Sequence, residues 1–593
     1  MKRQMSRRGF LEACAAGGAS LSQILNRRAA AQNDAFDAVP WSPPPALTNP
    51  PNILLIVVDQ MRWPQWLNSA EEQTLQSVLP NIVGKLRNRS YAFEQYYTAA
   101  TACSSARSTL LTGLYAPQTA VYAESSSSTA PDILNPAFPT WAEAVQALNA
   151  AYRNNLWWFG KWHLSRCADS SPLQPFGFNT RTYPGGSANP SPNGYPNEGV
   201  NGGLYNGRVY ASDAEIAGDF IGWLQGEAPT PTKPASPWCA TVSLINPHDI
   251  TNAPLFSTEY FPRDQFPPPS GAPAIYTGVP SPWNYEDLTQ VTNKPPLQYT
   301  FQNSLNGQLG PVAYPSGWVT FLNQYYWLQN YVDRQVGRVL NALENSSYGG
   351  DTVIIFAADH GEYGGSHGLH DKAYAVYDEA IRVPLYVKYP GMTKAITMNQ
   401  MCSSVDIFGL MCDLATGGGG QWQTAYLDLA QRQSIWDFLY YNAIETRVVP
   451  GGPLAGMPYI FHTSDETAIV PANGPNPHVV GLRTKSGATA GGKLAVYSQW
   501  ASCTTIPDST PQNFEFYDYS NNTSEMGNDY SAGNPTVQNY LGALGSWGPP
   551  ATGLVATELG KPLIGTGTDG KPLSQAQAAA QQAYFNYLGQ ICS

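Results

Sequence analysis

The sequence predicts an α/β fold, with a large, mostly parallel sheet sandwiched by helices and a smaller C-terminal antiparallel α+β unit. Three observations predict it. Unbroken apolar runs of strand length occur at 52–58 and 352–358, which requires burial on both faces. Amphipathic helical stretches separate such runs. After about residue 420 the pattern changes to short strands in close succession.

Taken in order, Asn52-Ile53-Leu54-Leu55-Ile56-Val57-Val58 reads as a central strand that ends on Asp59. Residues 80–89 read as a helix opened by Pro80, and 91–97 alternate as a strand. Residues 140–152 are predicted helical, 156–159 a short strand, and 212–224 a helix with Ser212 as a good N-cap. Residues 238–245 form another buried strand, 319–343 a long amphipathic helix, and 352–358 a further strand. Residues 479–483, 493–497 and 514–517 are the short strands of the C-terminal unit. The expected division is 51–420 for the catalytic α/β domain and 421–593 for the smaller subdomain. Two inserts, 170–211 and 250–317, are rich in Pro, Gly, Asn and Tyr and have little periodicity. Such segments are usually functional loops.

The 593 residues are 42% hydrophobic, ample for a large core, and only 13% charged. The formal charge is −11. The first 31 residues contribute +5, leaving −16 for the rest. A chain this acidic has little reason to bind nucleic acid or an acidic membrane surface, so an anionic substrate needs a local cationic cluster. Ser6-Arg7-Arg8-Gly9-Phe10-Leu11 matches a twin-arginine export signal, and Ala29-Ala30-Ala31 gives a cleavage site. Residues 1–31 are therefore expected to leave as a signal peptide, and 32–50 to act as a linker. This predicts passage through the twin-arginine translocase to the periplasm or exterior. No later stretch is long and apolar enough to span a bilayer. Eight cysteines are present. Cys14 leaves with the signal. Cys167, Cys239, Cys402, Cys412, Cys503 and Cys592 permit up to three disulfides or remain buried thiols.

The chemistry begins with the histidines. Five of the seven fall in three segments, at His163, at His248, and at His360, His367 and His370. Each segment follows a predicted strand, where open α/β sheets collect ligands. Asp59 and Asp359-His360 both end apolar runs. A carboxylate there needs a cation or donors to offset its desolvation, and oxygen ligands from several strands suit a hard divalent ion. The alternative is that each aspartate caps a following helix. If Cys103 opens a helix, Arg107 lies one turn on, on the same face. A nucleophile, a positive helix end and a guanidinium would then surround one tetrahedral oxyanion.

Cys103-Ser104-Ser105-Ala106-Arg107 with Leu110-Leu111-Thr112-Gly113 resembles the signature of the sulfatase family, in the alkaline-phosphatase-like superfamily, whose cysteine is oxidised to formylglycine. Other segments are similar to family motifs in the same order: "NILLIVVDQ", "LPNIVGKLRNRSYAFEQYYT", Gly160-Lys161-Trp162-His163, Asn246-Pro247-His248-Asp249, "DHGEYGGSHGLHDKAYAVYDEAIRVPLYVKYPG" and "FEFYDYSNNTSEMGN". The resemblance spans roughly 50–530. It implies that Asp59, Gln60, Cys103, Asp359 and His360 hold one Ca²⁺, with Gln60 where many members have a second aspartate. It implies that Arg107, Lys161, His163, His248 and Lys372 contact the sulfate. His367 and His370 are read as loop histidines near the site. Ser105 stands where the family's modification signal usually has Pro or Ala.

The implied activity is hydrolysis of an aryl, alkyl or carbohydrate sulfate ester, with a formylglycine-generating enzyme as a transient partner. His248, with Lys372, would protonate the departing alcohol, and His163 would take a proton as sulfate leaves. Two alternatives stand beside it. One is a phosphodiesterase or phosphonate monoester hydrolase of the same superfamily. The other is a non-catalytic exported protein that grips a glycan with its aromatic loops.

Overall fold

The computed structural model describes residues 39–587, apart from 48–49, 64–77, 123–132, 166–172, 182–210, 252–281, 283, 315, 466–476, 486–490, 500–507, 509–511 and 546–551. The export segment 1–31 with Cys14, part of the 32–50 linker, Cys167, Cys503, Cys592 and large parts of both inserts lie outside the described residues.

The large sheet has seven strands: β1 (Asn52–Val58), β2 (Tyr91–Tyr97), β3 (Leu156–Gly160), β4 (Cys239–Leu244), β5 (Thr352–Ala358), β6 (Leu385–Lys388) and β7 (Ile396–Ser403). Their spatial order is β3-β4-β1-β5-β6-β2-β7. The run β3-β4-β1-β5 is parallel throughout, β6 is antiparallel to both its neighbours, and β2 pairs parallel with β7. β1 sits at the centre with all seven residues buried, which is why its sequence shows no alternation. Each fully buried Leu or Ile there contributes about 1.5–3 kcal/mol of transfer free energy.

The helices that cover the sheet are α1 (Cys103–Thr112), α2 (Trp141–Leu148), α3 (Ala211–Gln225), α5 (Ser316–Glu344) and α6 (Ile407–Thr416), while α4 (Pro296–Leu309) packs on the segment that follows β5. α3 packs on α5, on β3 and on β4, and α2 packs on α6. α2 opens on a capping box: Thr140 accepts from Glu143 N and its own N–H donates to the Glu143 carboxylate. It ends at Leu148, and Ala150–Tyr152 continue as a 3₁₀ turn, so the helix is shorter than predicted.

The predicted helix at 80–89 is also altered. Ile82–Leu86 form a π-helical turn and Arg87–Arg89 a 3₁₀ turn. Asp333 of α5 accepts from the backbone N–H groups of Asn81 (3.0 Å) and Ile82 (2.7 Å). A carboxylate from another helix thus anchors the start of the segment.

The second sheet contains β8 (Tyr459–Ser464), β9 (His478–Thr484), β10 (Gly492–Ser498) and β11 (Asn513–Asp518), antiparallel in the order β11-β10-β9-β8. It backs the segment that follows β5. Lys493 Nζ donates to Val376 O at 2.6 Å, Ser464 Oγ accepts from Tyr374 N at 3.2 Å, and Thr463 N donates to Ala99 O at 2.9 Å. Cys239, Cys402 and Cys412 are buried free thiols, so the disulfide expectation does not hold for these three. Among the described residues, no helix is long and apolar enough to cross a membrane.

Candidate active site

The parallel block brings four strand ends to one level. Val58 pairs with Leu244 and with Ala358, and Gly160 pairs with Ser243. Asp59 follows β1, Lys161 and His163 follow β3, His248 follows β4, and Asp359 and His360 follow β5. The N-terminus of α1, which is buried along its whole length, delivers Cys103 to the same rim.

Two glycines permit the close approach. Gly160 has φ +99°, and a Cβ there would sit 2.0 Å from Ser243 O. Without that Cβ, Lys161 N reaches Ser243 O at 3.0 Å. A Cβ on Gly361 would sit 2.0 Å from Glu379 O, and its N–H donates to Ala380 O. Each glycine is adjacent to a site residue, so the chain turns there only because no side chain is present.

Asp59, Cys103, Asp359 and His360 present ligand atoms that all lie within 4.8 Å of one another, and all four residues are buried. Cys103 Sγ is 3.0 Å from His360 Nε2 and 3.7 Å from Asp59 Oδ1. His360 Nε2 lies 3.6 Å from Oδ1 of each aspartate. The outer carboxylate oxygens are held from behind. Arg107 donates from Nη2 to Asp59 Oδ2 (2.8 Å) and from Nε to Asp359 Oδ2 (3.0 Å). Its Nη1 donates to Lys161 O and to Ser243 Oγ. Lys161 Nζ lies 2.9 Å from Asp59 Oδ2. The aspartates cap no helix; Asp359 Oδ1 instead accepts from the N–H groups of Gln60 and His360.

Burial alone would push both carboxyls up. At Asp59 the charges of Lys161, His248, Arg107 and His360 outweigh it and hold the group well below the usual range. Asp359 is pushed up, by burial and then by the charge of Asp59.

Gln60 adopts φ +64°. Its Oε1 accepts from Lys372 Nζ at 3.3 Å, and its Nε2 donates to Glu362 Oε2 at 2.5 Å and to Thr251 Oγ1 at 3.0 Å. Lys372 also pairs with Asp371 at 3.1 Å. His163 is nearly buried, with φ +61°. His367 lies in a separate polar cluster, 2.9 Å from Glu286 Oε2 and 3.4 Å from Glu379 Oε2, stacked on Tyr377. His370 is buried beside Trp318 and Phe321, and burial pushes its imidazole down to about 4.

Sequence reasoning missed three supporting residues. Asp213, in the first turn of α3, accepts from Ile245 N (2.6 Å), Asn246 N (3.1 Å) and Asn246 Nδ2 (2.9 Å), which fixes the turn that carries His248. Glu362 accepts from Gln60, Gly364 N and Asp371 N; burial, then Asp371, pushes its carboxyl up to about 8. Ser243 receives Arg107. The only hint of these in the sequence is an acidic residue at a helix start and a Glu three positions after Asp359.

The Sulfatase family model matches residues 51–418 of this chain. The chain belongs to the sulfatase family. This sulfatase is 27% identical over 398 residues to the choline-sulfatase of Rhizobium meliloti, which covers 62% of this chain and 68% of that protein. It is 26% identical over 371 residues to the extracellular sulfatase SULF-1 homolog of Drosophila melanogaster, but the match spans only 30% of that protein. Among solved structures it shares its fold with a 2-O GAG sulfatase (TM-score 0.53, 19% identity, covering 83% of this chain and 89% of that one). It shares it also with the phosphonate monoester hydrolase of Silicibacter pomeroyi (TM-score 0.52, 18% identity, 83% and 93%). The seven-stranded mixed sheet with a separate antiparallel sheet is the architecture of these neighbours. Family and relatives together support a sulfuric ester hydrolase.

Proposed function

We propose that this protein hydrolyses an aryl, alkyl or carbohydrate sulfate ester with a formylglycine derived from Cys103 and one Ca²⁺, after export by the twin-arginine route. The observation that carries the reading is the Cys103 thiol within 3.0 Å of His360 Nε2 and 3.7 Å of Asp59 Oδ1, while Arg107 braces both aspartates. Two inward carboxylate oxygens, an imidazole nitrogen and residue 103 fit a divalent ion, and Gln60 offers an amide oxygen nearby. Asp59, Asp359, His360 and residue 103 would hold it. When bound, Ca²⁺ supplies positive charge that favours an ionised hydroxyl on residue 103 and polarises a sulfate oxygen. Formylglycine supplies an oxygen nucleophile with a second hydroxyl through which sulfate can later be released.

The chain's own residues do the rest. Arg107 and Lys161 fix the carboxylates and set a positive field where equatorial sulfate oxygens gain charge. His248, with Lys372, donates the proton to the departing alcohol. His163 accepts the proton of the second hydroxyl as sulfate leaves. Asp213 and Glu362 keep His248 and the Gln60–Lys372 pair in place.

The test is turnover of an aryl sulfate, an alkyl sulfate and a sulfated sugar, beside the matching phosphate and phosphonate esters, with mass spectrometry of the Cys103 peptide. Conversion lowers that peptide's mass, and sulfate turnover should scale with the converted fraction. Faster phosphonate than sulfate turnover, or sulfate turnover by wholly unconverted protein, would refute the reading.

A further inference from the structure

The four inward ligand atoms include a sulfur beside an imidazole nitrogen, a donor set different from the one the converted enzyme presents. A tetrahedral zinc ion with bonds of about 2.0 Å to nitrogen and oxygen and about 2.3 Å to sulfur has ligand-to-ligand edges of about 3.3–3.5 Å. Four of the six edges here are 3.0 Å (Cys103 Sγ to His360 Nε2), 3.7 Å (Sγ to Asp59 Oδ1), and 3.6 Å from Nε2 to each aspartate Oδ1, and all four ligand atoms lie within 4.8 Å of one another.

Two further features prepare these atoms for a cation. His360 Nδ1 lies 3.0 Å from Gly361 O. A carbonyl can only accept, so Nδ1 donates there, and Nε2 is the ring nitrogen that faces Cys103 and the carboxylates. The outer oxygens of both carboxylates are occupied by Arg107 and Lys161, which leaves Asp59 Oδ1 facing His360 and Cys103, while Asp359 Oδ1, 3.6 Å from His360 Nε2, also accepts from the backbone N–H groups of Gln60 and His360. Four candidate ligands thus stand with the groups that would orient them already in place.

We propose that the chain whose Cys103 is still a thiol binds one Zn²⁺ tetrahedrally through Cys103, His360, Asp59 and Asp359, and that conversion of residue 103 switches the site from Zn²⁺ to Ca²⁺. The inference rests on the metal-centre part of the proposed function. Thiolate and imidazole are soft or borderline donors that favour zinc, whereas Ca²⁺ seeks six to eight oxygens and gains little from sulfur. Binding releases the thiol proton to solvent. Zinc with one thiolate and two carboxylates carries a net charge of −1, which Arg107 and Lys161 offset. Replacing sulfur by oxygen removes the soft ligand, and the preference reverses. Ser105, at a position where the family's modification signal usually has Pro or Ala, makes the unconverted chain a relevant species. In that species zinc would occupy Sγ and leave residue 103 with no free nucleophile.

The test uses full-length chain made in a host without a formylglycine-generating enzyme, shown by mass spectrometry to be unconverted, and stripped with a chelator. Co²⁺ is titrated as the coloured stand-in for zinc. The expected result is one Co²⁺ per chain with intense tetrahedral d–d bands and a near-ultraviolet thiolate charge-transfer band. One equivalent of Zn²⁺ should bleach both, and a large excess of Ca²⁺ should not. Cys103→Ser should abolish the charge-transfer band and weaken Zn²⁺ by about 100-fold or more. Should that variant fail to fold, as judged by circular dichroism, converted wild type decides instead: it should lack the band and prefer Ca²⁺. A weak octahedral spectrum, displacement of Zn²⁺ by Ca²⁺, or a band that survives in Cys103→Ser overturns the proposal. Sulfate turnover by converted chain is measured separately. A tetrahedral site with an inactive converted chain removes the proposed function and leaves the zinc site, and the opposite pair of results does the reverse.

Discussion

Arg107 Nη2 lies 2.8 Å from Asp59 Oδ2, and the same guanidinium reaches Asp359 Oδ2 through Nε at 3.0 Å. One fork thus ties the ends of β1 and β5 together behind the ligand cluster. A buried carboxylate stripped of its partner is strongly destabilising, by about 3–5 kcal/mol. Arg107→Lys should lower thermal stability and weaken Ca²⁺ binding by about 10–100-fold, because an ammonium cannot bridge both carboxylates. Calorimetric Ca²⁺ titration with a parallel thermal melt checks this. Unchanged affinity would leave Arg107 facing the substrate, as the sequence suggested.

Asp213 touches none of the proposed catalytic side chains but accepts three bonds from the turn before His248. Asp213→Asn keeps the shape and turns an amide against backbone donors. Turnover should fall roughly 10- to 100-fold with little change in KM, since misplacing an acid affects the chemical step. In the His248→Ala background the same change should have little further effect. Full additivity would show that Asp213 acts elsewhere.

Gly160→Ala would place Cβ 2.0 Å from Ser243 O at φ +99°. Strain at such a backbone costs about 1–3 kcal/mol before the clash is counted. The variant should melt at lower temperature and lose activity, because Lys161 and His163 follow directly. Wild-type activity in Gly160→Ala would mean that the β3–β4 approach is not needed for the site.

The His367 cluster predicts a pH window for stability. Burial lowers the imidazole, but Glu379 and Glu286 outweigh it and raise it above 6.5. Glu379 is in turn held below 4.5, where burial is overcome by His367 and Arg62. A raised His stabilises fully below 6.5 and loses its contribution as pH rises through the folded value. A depressed Glu stabilises fully above 4.5 and loses its contribution as pH falls. The pair therefore contributes most between 4.5 and 6.5. His367→Gln should cost about 1.5–3 kcal/mol there. The gap from wild type should narrow on both sides in a melt series across pH. A constant gap would refute the ion pair.

Alanine at Lys372 should cut turnover about 100-fold or more if its ammonium helps the leaving group, with little effect on Ca²⁺ affinity. Steady-state kinetics beside calorimetry separates the two. A loss of Ca²⁺ affinity would instead make the Gln60–Lys372 contact part of the metal centre.

The elements most legible in the sequence were those whose burial is uniform. β1 and β5 are buried at every residue and read as strands from hydrophobicity alone. β7 and β8 went unseen. β7 alternates irregularly and carries Asn399 and Gln400, and β8 buries His462, Thr463 and Ser464 in a wall between sheets. Polar residues there are buried because other parts of the chain hydrogen-bond them: His462 Nδ1 bonds Thr98 O, and Ser464 Oγ accepts from Tyr374 N.

Motif spacing determined which residues gather at the strand ends, since strands end where apolar runs end and parallel strands end on one rim. The sequence by itself therefore determined the α/β architecture and brought forward Asp59, Cys103, Asp359 and His360, which the fold gathers, together with Gln60, whose amide oxygen meets Lys372 instead. Only the tertiary structure decided that Arg107 and Lys161 face the carboxylates, that Gln60 turns its oxygen to Lys372, and that Asp213 and Glu362 hold the rest in place. The physical reason is that a charged side chain pairs with whatever opposite charge packing brings within about 3 Å, and that distance depends on register between elements hundreds of residues apart.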